Sequence, residues 1–173
     1  MRNLCKQTAI IALICLNAAA ALGFQPMAAT VRVENGTLYD YVNIGEQPKA
    51  TDGYDNAYDT ISPGNLNADM GLPFISAVIV HPEWKAGLRE LRGDMRPPAK
   101  RQEWQLLITS SLARGTPLTV GLQPEQSRLP KGVQLILREK AGGKEINLTA
   151  GKSEIPAPGP GAKSTLHIIA EQP

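Results

Sequence analysis

The residues with most chemical potential lie in one short stretch, ATDGYDNAYD, which holds Asp52, Asp55 and Asp59 beside Tyr54 and Tyr58. Aspartate carboxylates and loop carbonyls are the hard oxygen ligands that calcium prefers, so these three acids form a candidate calcium site. Their spacing, three and four residues apart, departs from the D-x-D-x-D-G pattern of the helix–loop–helix calcium loop. The competing reading makes each Asp a turn cap and packs the two tyrosines onto the body of the fold. One of the acids could also pair with Arg96.

Trp84, in the segment HPEW, is the better placed of the two tryptophans to show an exposed ring. With Tyr54 and Tyr58 it could stack on a sugar, which makes a polysaccharide a candidate ligand. Trp104 falls on the apolar face of its own segment, EWQLLITS, and reads as core.

Little else suggests catalysis. His81 and His167 are the only histidines, and neither stands in metal-ligand spacing. Ser110 and Ser111 lack the G-x-S-x-G context of a nucleophile elbow. No nucleophile–base pair can be named, so the chain reads as non-enzymatic. Arg92-Gly93-Asp94 matches an integrin-binding tripeptide, but three residues are a short match, and an Asp94–Arg96 ion pair at a strand edge explains them as well.

The first 23 residues have the layout of a cleavable secretory signal: Arg2 and Lys6, the apolar run AIIALICL, then the small-residue stretch AAAALG. The run is far shorter than the roughly 20 residues that span a bilayer. Both cysteines, Cys5 and Cys15, lie in this segment, so residues 24–173 contain none. Neither has the small preceding residue that lipidation requires. Lys and Arg together number 18 in the whole chain and 16 without Arg2 and Lys6, equal to the 16 acids. A neutral product has no electrostatic footprint for nucleic acid or an anionic membrane. The expected setting is the periplasm or the cell exterior.

Residues 24–173 are enough for one domain with a real core. Proline and glycine cut the chain into short segments rich in β-branched and aliphatic residues. Strands are expected near 30–33, 37–44, 74–80, 103–109, 118–122, 133–138, 145–148 and 165–170, several with period-two alternation. Asn35-Gly36 signals a type I′ hairpin, and Gly142-Gly143 a second turn. The only helical candidate is 83–91. This spacing of strands and turns predicts an all-β, antiparallel sandwich. Residues 45–71 form a long, polar, turn-rich excursion, the first place to look for binding. Residues 155–161 (IPAPGPG) form a spacer that could shield a sheet edge.

The stretch 118–148, LTVGLQPEQSRLPKGVQLILREKAGGKEINL, resembles the Ig-like β-sandwich modules of secreted bacterial proteins. These include the FlgD-type Ig-like domains and the C-terminal modules of surface proteins. Leu129-Pro130, Leu135, Leu137, Gly142-Gly143 and residues 146–148 carry the likeness, which extends over about 45–170. It implies a sandwich fold and an exported setting, and no activity. The expected role is therefore structural or protein-binding, with a larger envelope or extracellular protein as partner, through the sheet edges or the long acidic loop. Carbohydrate binding is the alternative.

Overall fold

The computed structural model describes residues 26–139 and 143–172. The segment read as a signal peptide lies outside the described residues, as does Gly142 of the second glycine turn. Eleven strands are present among the described residues: β1 (Ala28–Asn35), β2 (Leu38–Glu46), β3 (Thr60–Ile61), β4 (Ile75–Val80), β5 (Glu90–Arg96), β6 (Arg101–Ser110), β7 (Pro117–Leu122), β8 (Gln134–Arg138), β9 (Glu145–Asn147), β10 (Ser153–Pro156) and β11 (Ser164–Glu171). One short helix, α1 (Leu66–Asp69), and a 3-10 turn at Pro124–Gln126 complete them.

The fold is all-β, as the alternation requires. The pairing differs from a purely antiparallel sandwich. All strands join one sheet in the order β10-β7-β1-β2-β5-β4-β6-β11-β8-β9, with β3 added against β5, and the sheet curls until it is nearly closed into a barrel. One pair, β2 with β5, is parallel, with Asn43 opposite Gly93 and Glu46 opposite Arg96. Its physical origin is the long excursion between β2 and β4, which lets β5 return beside β2 in the same direction.

Inward positions recur every second residue and fill the interior: Val31 and Val33, Val42 and Ile44, Trp104, Leu106 and Ile108, Leu166, Ile168 and Ala170 are all buried. Trp104 is fully buried, as its strand face indicates. The β1–β2 hairpin forms where expected, with Asn35 opposite Leu38. Its turn differs: Gly36 has φ +59°, while among the described residues no non-glycine residue, Thr37 included, has positive φ. Positive φ at the first central position alone is the type II′ pattern, and type I′ would need it at Thr37 as well.

Strands β3, β5 and β10 fall outside the expected strands, and helix α1 and the 3-10 turn outside the expected helix. The helical candidate at 83–91 is a run of turns that enters β5 at Glu90. Residues Ile155 and Pro156, read as spacer, end β10 and pair with Leu118 and Pro117 of β7. β10 is an end strand of the sheet, and proline is tolerated there because the lost donor faces no neighbour. Asn65 caps α1 by accepting from Ala68 N at 3.2 Å.

Candidate functional site

Five residues named from the sequence, Tyr54, His81, Trp84, Asp94 and Arg96, converge on the corner where β4 ends and β5 runs. His81 follows β4, and the HPEW turn closes with Trp84 N donating to His81 O at 3.1 Å. This folds the indole back onto the imidazole: the rings stack with centroids 3.7 Å apart and 8° between planes. Tyr54 meets Trp84 edge-on, with centroids 6.4 Å apart. Trp84 is thus half-buried, with one face covered by His81 and Tyr54 against it.

Beneath the stack lies a buried polar network. His81 Nε2 lies 2.9 Å from Asp94 Oδ2, and its Nδ1 lies 3.1 Å from Glu83 Oε1. Arg96 Nη2 donates to the same Asp94 oxygen at 3.2 Å. The Asp94–Arg96 pair read from the sequence is present. The Arg-Gly-Asp tripeptide is taken up internally, since Asp94 is buried and Arg92 is bound to Asp40. Burial opposes a charge on His81, but hydrogen bonding and attraction from Asp94, with help from Glu83, outweigh it and raise the imidazole pKa above 6.5.

The aspartates of the loop divide. Asp59 is buried; its Oδ2 accepts from Asp55 N at 2.7 Å and its Oδ1 from Met95 N at 3.0 Å, which ties the loop to β5. Burial pushes the Asp59 carboxyl above its ordinary 3.8, although the two backbone donors pull the other way. Asp55 Oδ1 accepts from Ala57 N at 3.1 Å. Asp52 is exposed, and Tyr58 is half-buried. Among the described residues, no group of three or more His, Cys, Asp or Glu side chains is placed to hold a metal ion. The carboxylates of Asp55 and Asp59 act as turn and strand caps, the competing reading of this stretch.

Both ring nitrogens of His81 lie against carboxylates, and the indole of Trp84 stacks on its ring. The corner's arrangement is that of a clasp between loop 45–71, the HPEW turn and β5.

Surface groups that the sequence did not single out stand elsewhere. Leu66, Met70 and Leu72, in and just after α1, are 72 %, 63 % and 46 % exposed. Their segment is nonetheless pinned: Asn65 Nδ2 donates to Ile75 O at 2.9 Å, and Leu72 N to Asn67 O at 2.8 Å. Tyr39 and Tyr41 stand two residues apart on the outer face of β2, 54 % and 38 % exposed. An apolar trench of about 450 Å³, lined by Leu122, Pro124, Leu129 and Leu148 among others, opens between the 3-10 turn and the chain that leads from β9 to β10. Among the described residues no helix is long and apolar enough to cross a membrane. Compared with known proteins, the chain matches no family model, no curated protein and no solved structure.

Proposed function

We propose that the chain is an exported, non-enzymatic β-module that docks a larger envelope or extracellular protein through the 62–73 part of its long excursion. The observation that carries this reading is the exposure of Leu66, Met70 and Leu72 on a segment held in place by its own hydrogen bonds. Three large apolar side chains on an ordered surface loop are an unfavourable arrangement unless something covers them. Burying each would favour association by about 1.5–3 kcal/mol before ordering costs. Because the loop is already ordered, little of that gain goes into fixing it.

The non-enzymatic part rests on the His81 corner, where the ring nitrogens and Asp94 are engaged with each other and with Arg96 and Glu83. The exported part rests on residues 1–23, with their positive start, apolar middle and small-residue end. Site-specific photocrosslinking in the producing cell tests the docking face. Benzoylphenylalanine at position 66 or 70 is expected to give one discrete adduct that the same probe at Lys163, exposed in the turn before β11, does not give. No discrete adduct at either position, or the same adduct at 163, would sink the proposal.

A further inference from the structure

A second surface has the chemistry of a sugar subsite. Tyr39 and Tyr41 project from the outer face of β2, opposite Glu34 and Arg32 of β1. The Arg32 guanidinium lies 3.9 Å from the Tyr39 ring centroid, and that of Arg92 lies 5.1 Å from the Tyr41 centroid. Each ring thus has a guanidinium beside it, and the residues remain 54 % and 38 % exposed. Across from them stands the 3-10 turn. It is fixed to β1 by Gln123 N donating to Thr30 O at 2.9 Å, and by Thr30 N donating to Ser127 Oγ at 3.1 Å. Between these walls is a cleft of about 190 Å³, lined by Thr30, Arg32, Tyr39, Tyr41, Gln123 and Gln126.

The balance of charge in and around the cleft selects the ligand. Arg32 pairs with Glu34 at 2.7 Å, Lys152 pairs with the same carboxylate at 2.8 Å, and Arg92 is bound to Asp40. Among the residues lining the cleft only Arg32 is charged, and Glu34 meets that charge; Lys152, outside the lining, shares the same carboxylate. The cleft also presents the phenol groups of Tyr39 and Tyr41 and the carboxamides of Gln123 and Gln126. A carboxamide both donates and accepts, which suits a hydroxyl that does the same, while an aromatic face suits the apolar C–H side of a pyranose ring. The volume is below that of a drug-sized pocket and suits a single ring of a chain that runs on along an open surface.

We infer that this cleft is a binding subsite for a neutral polysaccharide. It differs from the Trp84–Tyr54–Tyr58 cluster that the sequence nominates, because the exposed rings are those of β2 and one face of Trp84 is closed by His81. It stands independently of the docking face at Leu66 and Met70.

Native affinity electrophoresis through gels cast with hydroxyethylcellulose, laminarin, soluble starch or galactomannan tests it, with a polyproline peptide and heparin as comparison probes. Retardation by at least one of the neutral polymers is expected, persisting in 0.5 M salt (about ten-fold or greater loss in Tyr39→Ala and in Gln126→Ala). Tyr39→Ala and Gln126→Ala lie on opposite walls, so a folding defect in one leaves the other to decide. Leu66→Asp should bind the polymer as the unaltered chain does. Absence of retardation by all four neutral polymers overturns the inference. So does retardation indifferent to both wall variants, binding to heparin alone that salt removes, or binding to polyproline alone, which would make the cleft a peptide groove.

Discussion

Arg92 of β5 and Asp40 of β2 join across a split in the sheet: Arg92 Nη2 donates to Asp40 Oδ2 at 3.1 Å, and Nη1 reaches Oδ1 as well. β5 pairs with β4 only at Leu91 and Glu90, then turns onto β2 from Gly93. That leaves backbone groups of β4 without a strand beside them. Asp40 accepts from Ala77 N at 2.9 Å, and Arg92 donates to Ala77 O at 3.2 Å and to Tyr41 O. Two side chains thus do the work of a missing stretch of ladder.

Loss of one partner leaves a largely buried charge and an unpaired peptide group. Arg92→Met is expected to destabilise the fold by about 3 kcal/mol or more. Arg92→Lys should recover only part of this, because an ammonium cannot match the forked geometry. Urea denaturation of both variants checks the order; equal stability of Arg92→Met and the parent would show that the pair does not hold the split.

The His81 network should make stability depend on pH. A histidine pKa raised above 6.5 means that the folded chain binds the proton more tightly than the unfolded one. The resulting stabilisation is complete below pH 6.5 and is lost as the pH rises through the raised value. Burial also raises the carboxyl pKa of Asp59 above 3.8 and that of Glu46 above 4.5. Both likewise lose stabilisation as the pH rises, in a lower range. The urea midpoint of the parent should therefore fall as the pH rises above 6.5, and His81→Gln should flatten that fall. An identical slope in the variant would contradict the assignment.

Gly45 is a position where space forbids a side chain. A Cβ there would lie 2.5 Å from the Met27 carbonyl oxygen and 2.7 Å from Met95 Sδ. The carbonyl accepts from Glu46 N at 2.9 Å and cannot retreat without breaking that bond. Gly45→Ala should cost about 1–3 kcal/mol, whereas Gly53→Ala, whose nearest neighbour would be Thr51 Oγ1 at 3.9 Å, should be close to neutral. Thermal melting of the two variants separates them.

The aspartate loop gives a direct metal test. With both Asp59 oxygens accepting from backbone N–H groups, a chelator should leave the melting temperature unchanged, and millimolar calcium should not raise it. A calcium-dependent rise that Asp55→Asn abolishes would restore the ion to this loop.

The strands legible in the sequence are those whose inward residues are aliphatic, such as Val31 and Val33 or Leu106 and Ile108. β5 was illegible because its segment, ELRGDMR, reads as polar surface. Its charges are instead satisfied by Asp40, His81 and by one another. β2 inverts the usual rule: Asp40 is buried while Tyr39 and Tyr41 are exposed. Alternation therefore marks the strand but misassigns its faces, and the ion pair that buries Asp40 comes from a residue 52 positions away. The exposure of Leu66, Met70 and Leu72 was equally hidden. Composition records three apolar residues in a polar stretch and cannot show the hydrogen bonds, those of Asn65 and Asn67 among them, that fix the segment.

Leu66 and Met70, as we propose, form a docking face with no part in holding the fold. The most direct measurement is the double variant Leu66→Asp/Met70→Asp, compared with the parent for melting temperature and for crosslinking from a probe at position 72. An unchanged melting temperature with loss of the discrete adduct is expected. A folded variant that still gives the same adduct at full yield would contradict the claim.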